Sequence, residues 1–229
     1  MKDCKLPAIV LVRPRNPNNI GAAARAMANF GFAHLRVVAV HPPVWEEALR
    51  AAVGAEALLR RARVFGGLAE AVSDRTRVLA TSCMKARSPR MHVVPLPGLS
   101  LGPKAAVVFG PEKTGLSAKD MEHCDAVLRI PTAESCPSMN LVAAVAAVCY
   151  ELAGRGRAAG PAFKDEGLTG AELERLVEAA EAAFLRVGYR GDLSAAQRKS
   201  RVRRLLRRRG VLRDEAGFLF ELARRAAGL

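Results

Sequence analysis

The stretch VVFGPEKTGLS, Val107 to Ser117, decides how the chain is read. The apolar run that contains its first residues, Ala105–Gly110, has the length and composition of a buried strand and ends on a glycine. A second glycine, Gly115, follows, and two places on comes a hydroxyl, Ser117. This is the spacing of a phosphate-binding loop, with Leu116 where the lysine belongs. The chemistry does not follow the spacing. Such a loop aims backbone N–H groups and one lysine at phosphate oxygens. Here Leu116 is uncharged, Pro111 has no N–H, Glu112 repels an anion and Lys113 stands in the wrong place to substitute. A glycine-rich turn leaving a strand still suits a ligand approached by backbone, one other than a nucleoside triphosphate.

Outward from this stretch, strand-like and helix-like segments alternate. Ala8–Arg13, Leu35–Val40, Arg77–Thr81, Ala105–Gly110 and Ala126–Ile130 are short apolar runs. Asn19–Gly31, Gly54–Val64 and Ser138–Ala153 carry apolar residues at helical spacing. The alternation predicts an α/β domain, residues 1–155, with a mostly parallel sheet whose ligands gather beyond the carboxyl ends of the strands. The composition changes at Gly154–Gly167, rich in glycine, proline and charge without apolar period, which places a linker at 156–168. A helical C-terminal extension occupies 169–229. Thr169 caps its first helix, running to about Gly188 with an apolar stripe of Leu173, Leu176, Val177, Ala180, Phe184 and Leu185. A second helix follows Ser194 and a third spans Asp214 to Ala227.

At 229 residues and 50% hydrophobic, the chain can bury one domain and a small appendage. Its N-terminal apolar run, Ala8 to Val12, has no cleavage site after it, and no segment reaches the roughly 18 apolar residues of a membrane span, so a cytoplasmic protein is expected. The five cysteines, Cys4, Cys83, Cys124, Cys136 and Cys149, never form CxxC and do not cluster with the histidines, which supports neither a disulfide framework nor a metal site. Cys149, inside an apolar helical run, reads as a buried small residue.

The formal charge of +14 implies a polyanionic partner. Its densest source is QRKSRVRRLLRRRGVLR, with nine lysines and arginines between Arg198 and Arg213 and no acid. Val202, Leu205, Leu206 and Leu212 can pack inward while Arg203, Arg204, Arg207 and Arg208 meet phosphate. The run lacks the aromatics of a membrane-surface helix.

Two further segments follow strand ends. In PRNPNNIGAAARAMANFGF, the strand stops at Pro14, Asn18 or Asn19 can cap the helix, and Gly21, Ala22, Ala23 and Ala24 leave its first turns nearly free of side chains, so that something approaches closely there. Arg25 can project past its short neighbours toward the strand ends. In LRIPTAESCPSMNLVAAVAAVCYEL, the strand stops at Ile130-Pro131, and Ser138 or Asn140 begins a helix of small residues after Pro137.

In this order the three segments resemble the motifs of the SPOUT superfamily of RNA methyltransferases, in its TrmH-like branch. Asn19, Arg25 and Phe30-Gly31 match the first motif; Phe109, Gly110, Glu112, Gly115 and Leu116 the second; Ile130, Pro131, Ser138, Met139 and Asn140 the third, with Met139 in place of the usual leucine. The tail is similar to the C-terminal extension of the TrmJ group, which methylates the ribose 2′-oxygen at position 32 of the tRNA anticodon loop. The resemblance implies a trefoil-knotted sheet and S-adenosyl-L-methionine as cofactor, bound among Thr81, Ser82, Gly110, Glu112, Gly115, Ile130, Ser138 and Met139. It implies a homodimer in which two subunits complete the site, and tRNA as substrate. Arg25, Asn19, Ser138 and Asn140 then form the catalytic set: Arg25 orients the 2′-hydroxyl, Asn19 holds Arg25 or the RNA, Ser138 and Asn140 border the ribose and cofactor, and Glu112 anchors the loop. Arg13, Arg15, Arg87 and Arg90 are further RNA contacts. In TSCMKARSPR the group's third-loop arginine corresponds to Lys85, Arg87 or Arg90. The alternatives are a ribosomal RNA 2′-O-methyltransferase, which commonly adds an N-terminal substrate domain not expected ahead of a strand at Ala8, another tRNA position, or a non-catalytic RNA-binding protein that kept the knot.

Overall fold

Strands β1 (Ala8–Val12) and β6 (Ala105–Phe109) are buried at every position, as their unbroken apolar runs require of strands covered on both faces. They lie side by side and parallel, Ile9 opposite Val107. The computed structural model describes residues 6–39, 43–82, 91–154, 167–189 and 191–228. Within these, β2 (Leu35–Val38), β3 (Arg63–Phe65), β4 (Arg77–Thr81), β5 (Val93–Pro95) and β7 (Ala126–Arg129) complete a seven-stranded sheet in the order β3-β2-β1-β6-β4-β7-β5. Every pairing is parallel.

Two late strands enter between earlier ones: β6 between β1 and β4, and β7 between β4 and β5. That interleaving is compatible with the threaded trace the resemblance implies. Its consequence is local. The carboxyl ends of β1, β6, β4 and β7 become neighbours on one edge, so the segments that follow Val12, Phe109, Thr81 and Arg129 share one space.

Alternate strand residues feed two cores. Ile9, Leu11, Val107 and Phe109 face α1 (Pro17–Asn29), α2 (Trp45–Ala51), α3 (Glu56–Arg60) and α6 (Leu141–Leu152). Val10, Val12 and Val108 face α4 (Leu68–Ala71) and α5 (Ala118–Met121), with Leu116 packed among them.

Several local expectations are corrected. The predicted helix Gly54–Val64 is only the five residues of α3, because Arg63–Phe65 leaves it to pair with β2 as an edge strand. Strand β5 has no counterpart among the expected strands; three residues closed by Pro95 fit only a sheet edge. Helix α1 is capped by Asn16, which accepts from the Asn18 N–H at 2.9 Å with Pro17 at the first turn, and not by Asn18 or Asn19. The close approach at Gly21 comes from α2: a Cβ on Gly21 would stand 1.9 Å from the Ala48 carbonyl oxygen, so the small residues of α1 are there for helix packing.

The extension has a core of its own. Helices α7 (Gly170–Val187), α8 (Ala195–Arg209) and α9 (Arg213–Ala227) bury Leu168, Leu173, Leu176, Val177 and Val202. Capping boxes at Thr169/Glu172 and Ser194/Gln197 start the first two, and left-handed Gly188 and Gly210 end them. Leu185, Leu205 and Leu212, expected inside, are exposed. The predicted linker falls mostly on residues 155–166, outside the described set. Helix α7 docks on the α/β domain through backbone: Gly170 N–H donates to Arg75 O at 3.0 Å and Ala171 N–H to Ser73 O at 2.8 Å. A Cβ at Gly170 would meet the Val72 carbonyl oxygen at 2.8 Å, so only glycine allows this approach.

Candidate active site

The shared edge holds a cavity of about 200 Å³ lined by Thr81 and Ser82 after β4, by Phe109 to Leu116 after β6, by Ile130 and Thr132 after β7, and by Pro137 to Met139, Leu141 and Ala144 at the start of α6. Every residue assigned to the cofactor by resemblance lines it: Thr81, Ser82, Gly110, Glu112, Gly115, Ile130, Ser138 and Met139.

The loop of the opening stretch is built by its two glycines and its leucine. Gly115 has φ +63°, and its N–H donates to Pro111 O at 2.8 Å, folding the loop back on itself. A Cβ on Gly110 would fall 2.4 Å from the Leu116 nitrogen and 2.5 Å from the Gly115 carbonyl carbon. Leu116 is 4% exposed and packs into the core beneath the sheet. The position that carries a lysine in a phosphate loop here carries the loop's anchor.

Glu112 is the loop's polar tie. Its Oε1 accepts from Asn19 Nδ2 at 2.7 Å and its Oε2 from the Arg15 N–H at 3.2 Å. Burial alone would raise the Glu112 carboxyl, and these hydrogen bonds outweigh it, holding it below the ordinary range. Asn19 therefore ties the Gly110–Gly115 loop to the first turn of α1. Thr81 Oγ1 donates to Val108 O at 3.0 Å, joining the ends of β4 and β6.

The third segment divides its work. Asn140 caps α6, accepting from Val142 N–H at 2.9 Å and Ala143 N–H at 3.4 Å, and it does not line the cavity. Ser138, upstream of the cap and exposed, lines the cavity with Pro137 and Met139. Arg25 is exposed on α1, makes no ion pair or side-chain hydrogen bond among the described residues, and does not line the cavity of its own chain. Along α6, Ala143, Ala146, Ala147 and Tyr150 form a partly exposed stripe, with Tyr150 edge-on to Phe30 at 5.8 Å.

The basic residues separate sharply. Arg13 pairs with Asp120 through both guanidinium nitrogens. Arg203 is clamped between Glu174, at 2.7 and 2.8 Å, and Glu122, at 3.4 Å. Arg207 is buried against Asp125 at 3.1 Å. These two arginines, expected on phosphate, instead fasten α8 to the α/β domain, and sequence reasoning could not see the acids that hold them. Arg204 and Arg208 stay exposed, as does Arg201, all on the outer face of α8. Arg15 is exposed; Lys85, Arg87 and Arg90 lie outside the described residues.

Among the described residues no group of histidine, cysteine and carboxylate side chains could hold a metal, and no helix is long and apolar enough to cross a membrane. Burial pushes the Cys149 thiol up to about 12, and the buried Cys124 thiol also rises, which leaves both protonated at neutral pH.

Comparison with known proteins agrees with this geometry. Residues 7–150 match the model of the SpoU rRNA Methylase family. A tRNA (cytidine/uridine/adenosine-2′-O-)-methyltransferase TrmJ of Pseudomonas aeruginosa is 32% identical over 244 aligned residues, covering 96% of this chain and 95% of that one. A tRNA (cytidine-2′-O-)-methyltransferase TrmJ of Methanocaldococcus jannaschii is 36% identical over 152 residues, 63% of this chain and 66% of the relative. The crystal structure of TrmJ from Z. mobilis superposes with a TM-score of 0.78 at 31% identity, over 95% of this chain and 97% of that one. The interleaved parallel sheet, the cavity at its carboxyl edge and the span of the family match lead to one assignment: the chain belongs to the SpoU methylase family.

Proposed function

We propose that the chain is a cytoplasmic, S-adenosyl-L-methionine-dependent RNA ribose 2′-O-methyltransferase acting on tRNA, with position 32 of the anticodon loop as its target. The observation that carries this reading is the cavity. Three loops converge on it, and it offers the apolar walls of Leu116, Leu128, Ile130 and Leu141 beside the hydroxyls of Thr81, Ser82 and Ser138. Such a lining suits a neutral nucleoside, and the Glu112 carboxylate on its rim suits a sulfonium better than a phosphate. Glycine at 110 keeps backbone where a side chain would fill the space.

S-adenosyl-L-methionine, when bound, supplies a methyl group activated by a sulfonium sulfur. What remains for the protein is to position the ribose hydroxyl and relieve its proton. Arg25 fits the first task. Its guanidinium has no partner among the described residues and can orient the hydroxyl and adjoining phosphate and stabilise developing alkoxide charge. As an arginine it stays protonated and is no general base, so a phosphate oxygen or water takes the proton. Ser138 borders the ribose. Asn140 serves by capping α6 and thereby placing Ser138 and Met139.

Arg25 lies outside the cavity of its own chain, which supports a homodimer in which the small-residue stripe of α6 packs and two subunits complete the site. A sedimentation mass near one 24.5 kDa chain at micromolar concentration would contradict this. Arg204, Arg208 and Arg201, with Arg15, are the proposed phosphate contacts.

The test of the catalytic assignment is Arg25→Ala. Methylation of a tRNA pool should be lost while affinity for S-adenosylhomocysteine, measured by calorimetry, stays within about twofold, since no contact to the cavity is removed. Wild-type turnover by this variant would take Arg25 out of the mechanism.

A further inference from the structure

Arg13 is the one non-glycine residue with positive φ among the described residues, at +49°. A left-handed arginine is unfavourable and persists only where surrounding structure holds it. The reason is visible in its contacts. Its N–H donates to Val38 O at 2.7 Å, and the turn that follows sends the side chain across to α5. There Nη1 donates to Asp120 Oδ1 at 3.1 Å and Nη2 to Oδ2 at 2.5 Å. Asp120 is 6% exposed, and its Oδ2 also accepts from Ser117 N–H at 2.8 Å and Ser117 Oγ at 2.6 Å, while Ser117 Oγ caps α5. Burial would raise the Asp120 carboxyl; the bonds from Arg13 and Ser117 overcome that and hold it ionised.

The grip has two points. Glu112 lies in the front half of the cavity-lining run Phe109 to Leu116, and Ser117–Asp120 follows its end. The turn after β1 and the first turn of α1 hold the first point, through the Arg15 N–H and Asn19, and the turn holds the second through Arg13. The same segment leads into the helix that carries Arg25. We infer that Arg13 is a positioning residue of the cofactor loop, fixing the rear of the Gly110–Ser117 loop to the strand end that leads to Arg25, and that it is not a phosphate contact. The Arg13 side chain is 42% exposed, but both of its terminal nitrogens pair with a buried carboxylate that neutralises its charge, which weakens its pull on a phosphate.

This rests on the cavity binding S-adenosyl-L-methionine, and the experiment separates the two. Calorimetry with S-adenosylhomocysteine comes first: if the wild-type protein binds none, the cavity reading fails and the inference about Arg13 fails with it. With wild-type binding established, Arg13→Gln and Asp120→Asn should each weaken it about tenfold, the scale of one lost charged hydrogen bond. The double variant should be no weaker than the worse single one, because the two side chains act as a pair. The KM for S-adenosyl-L-methionine should rise with little change in kcat at saturation, and the salt slope of tRNA-pool binding should stay as in the wild type. Arg13→Lys, which keeps the charge and one hydrogen bond, should recover part of the affinity, and it carries the same test if Arg13→Gln folds poorly. A salt slope lowered by roughly one, the value of one phosphate contact, with cofactor affinity intact, would overturn the inference. So would additive effects in the double variant.

Discussion

Leu116 and Gly110 make one contact that sequence spacing renders only in outline. That a strand runs into a glycine at 110 is plain from the residues. That this glycine is required because the Leu116 nitrogen lies 2.4 Å from its missing Cβ depends on the loop folding back, which no pattern states. Gly110→Ala should therefore force the loop open: binding of S-adenosylhomocysteine should weaken at least tenfold, by analogy with overpacking costs of about 1–3 kcal/mol, while the circular dichroism of the domain stays native. Unchanged affinity would mean that the loop does not shape the cavity. Gly21 is a parallel case. Its small neighbours imply a close approach, and the structure supplies it as the Ala48 carbonyl of α2, a helix whose arrival is not written near Gly21. The residue types of the site were legible; their partners were not, since Asn19 and Glu112 meet across 93 positions.

At the scale of elements, α8 shows what a charge run can conceal. One face holds Val202 and Leu206 in the extension's core, and beside it Arg198, Arg203 and Arg207 are spent on Glu181, on Glu174 with Glu122, and on Asp125. The remaining face carries Arg201, Arg204 and Arg208 into solvent. Two outcomes follow from that division. Replacing Arg201, Arg204 and Arg208 together with glutamine should lower the salt slope of tRNA binding by about two, at roughly 0.7 to 0.9 per phosphate contact, with the melting temperature unchanged. Arg207→Ala leaves Asp125 buried without its cation and should cost about 3–5 kcal/mol of stability in denaturant unfolding. The reverse pattern would make Arg207 the nucleic-acid contact and the outer face mere surface charge. Helices and long strands were legible from their periods; β3 and β5, three residues each, were too short to show one.

For the molecule as a whole, the docking of the extension gives stability a pH dependence. His123 lies between the α5 turn and α8. Burial first, then Arg207 and Arg203, lowers its pKa against the opposing pull of Glu174 and Glu122. Its Nδ1 is buried with no hydrogen-bond partner among the described residues. In the unfolded chain this imidazole takes its proton near pH 6.5, and in the folded protein only at lower pH, so stability falls as pH drops through about 6.5. His34, also lowered by burial and nearby arginines, adds to the slope. Asp120 and Glu174 work in the same direction in a lower window: their depressed folded values stabilise above the ordinary carboxylate range, and that stability is lost below about pH 4. Denaturant midpoints should thus decline from pH 7.5 to 5.5, and His123→Asn should flatten that decline; an identical slope in the variant would place the titration elsewhere. The alternation of strands and helices made the class of fold readable, and three motifs in order made the cavity readable. The fastening of the extension to the sheet was not, because it depends on acids and arginines about 80 positions apart.

The central claim is that the cavity at the carboxyl edge serves methyl transfer to a ribose hydroxyl of tRNA. It is tested most directly by incubating the protein with S-adenosyl-L-methionine and unmodified tRNA and mapping the product by nucleoside mass spectrometry. The expected product is a 2′-O-methylated nucleotide at position 32, absent with Arg25→Ala; a methyl group on a base, or no transfer to tRNA by protein that binds the cofactor, would contradict this function.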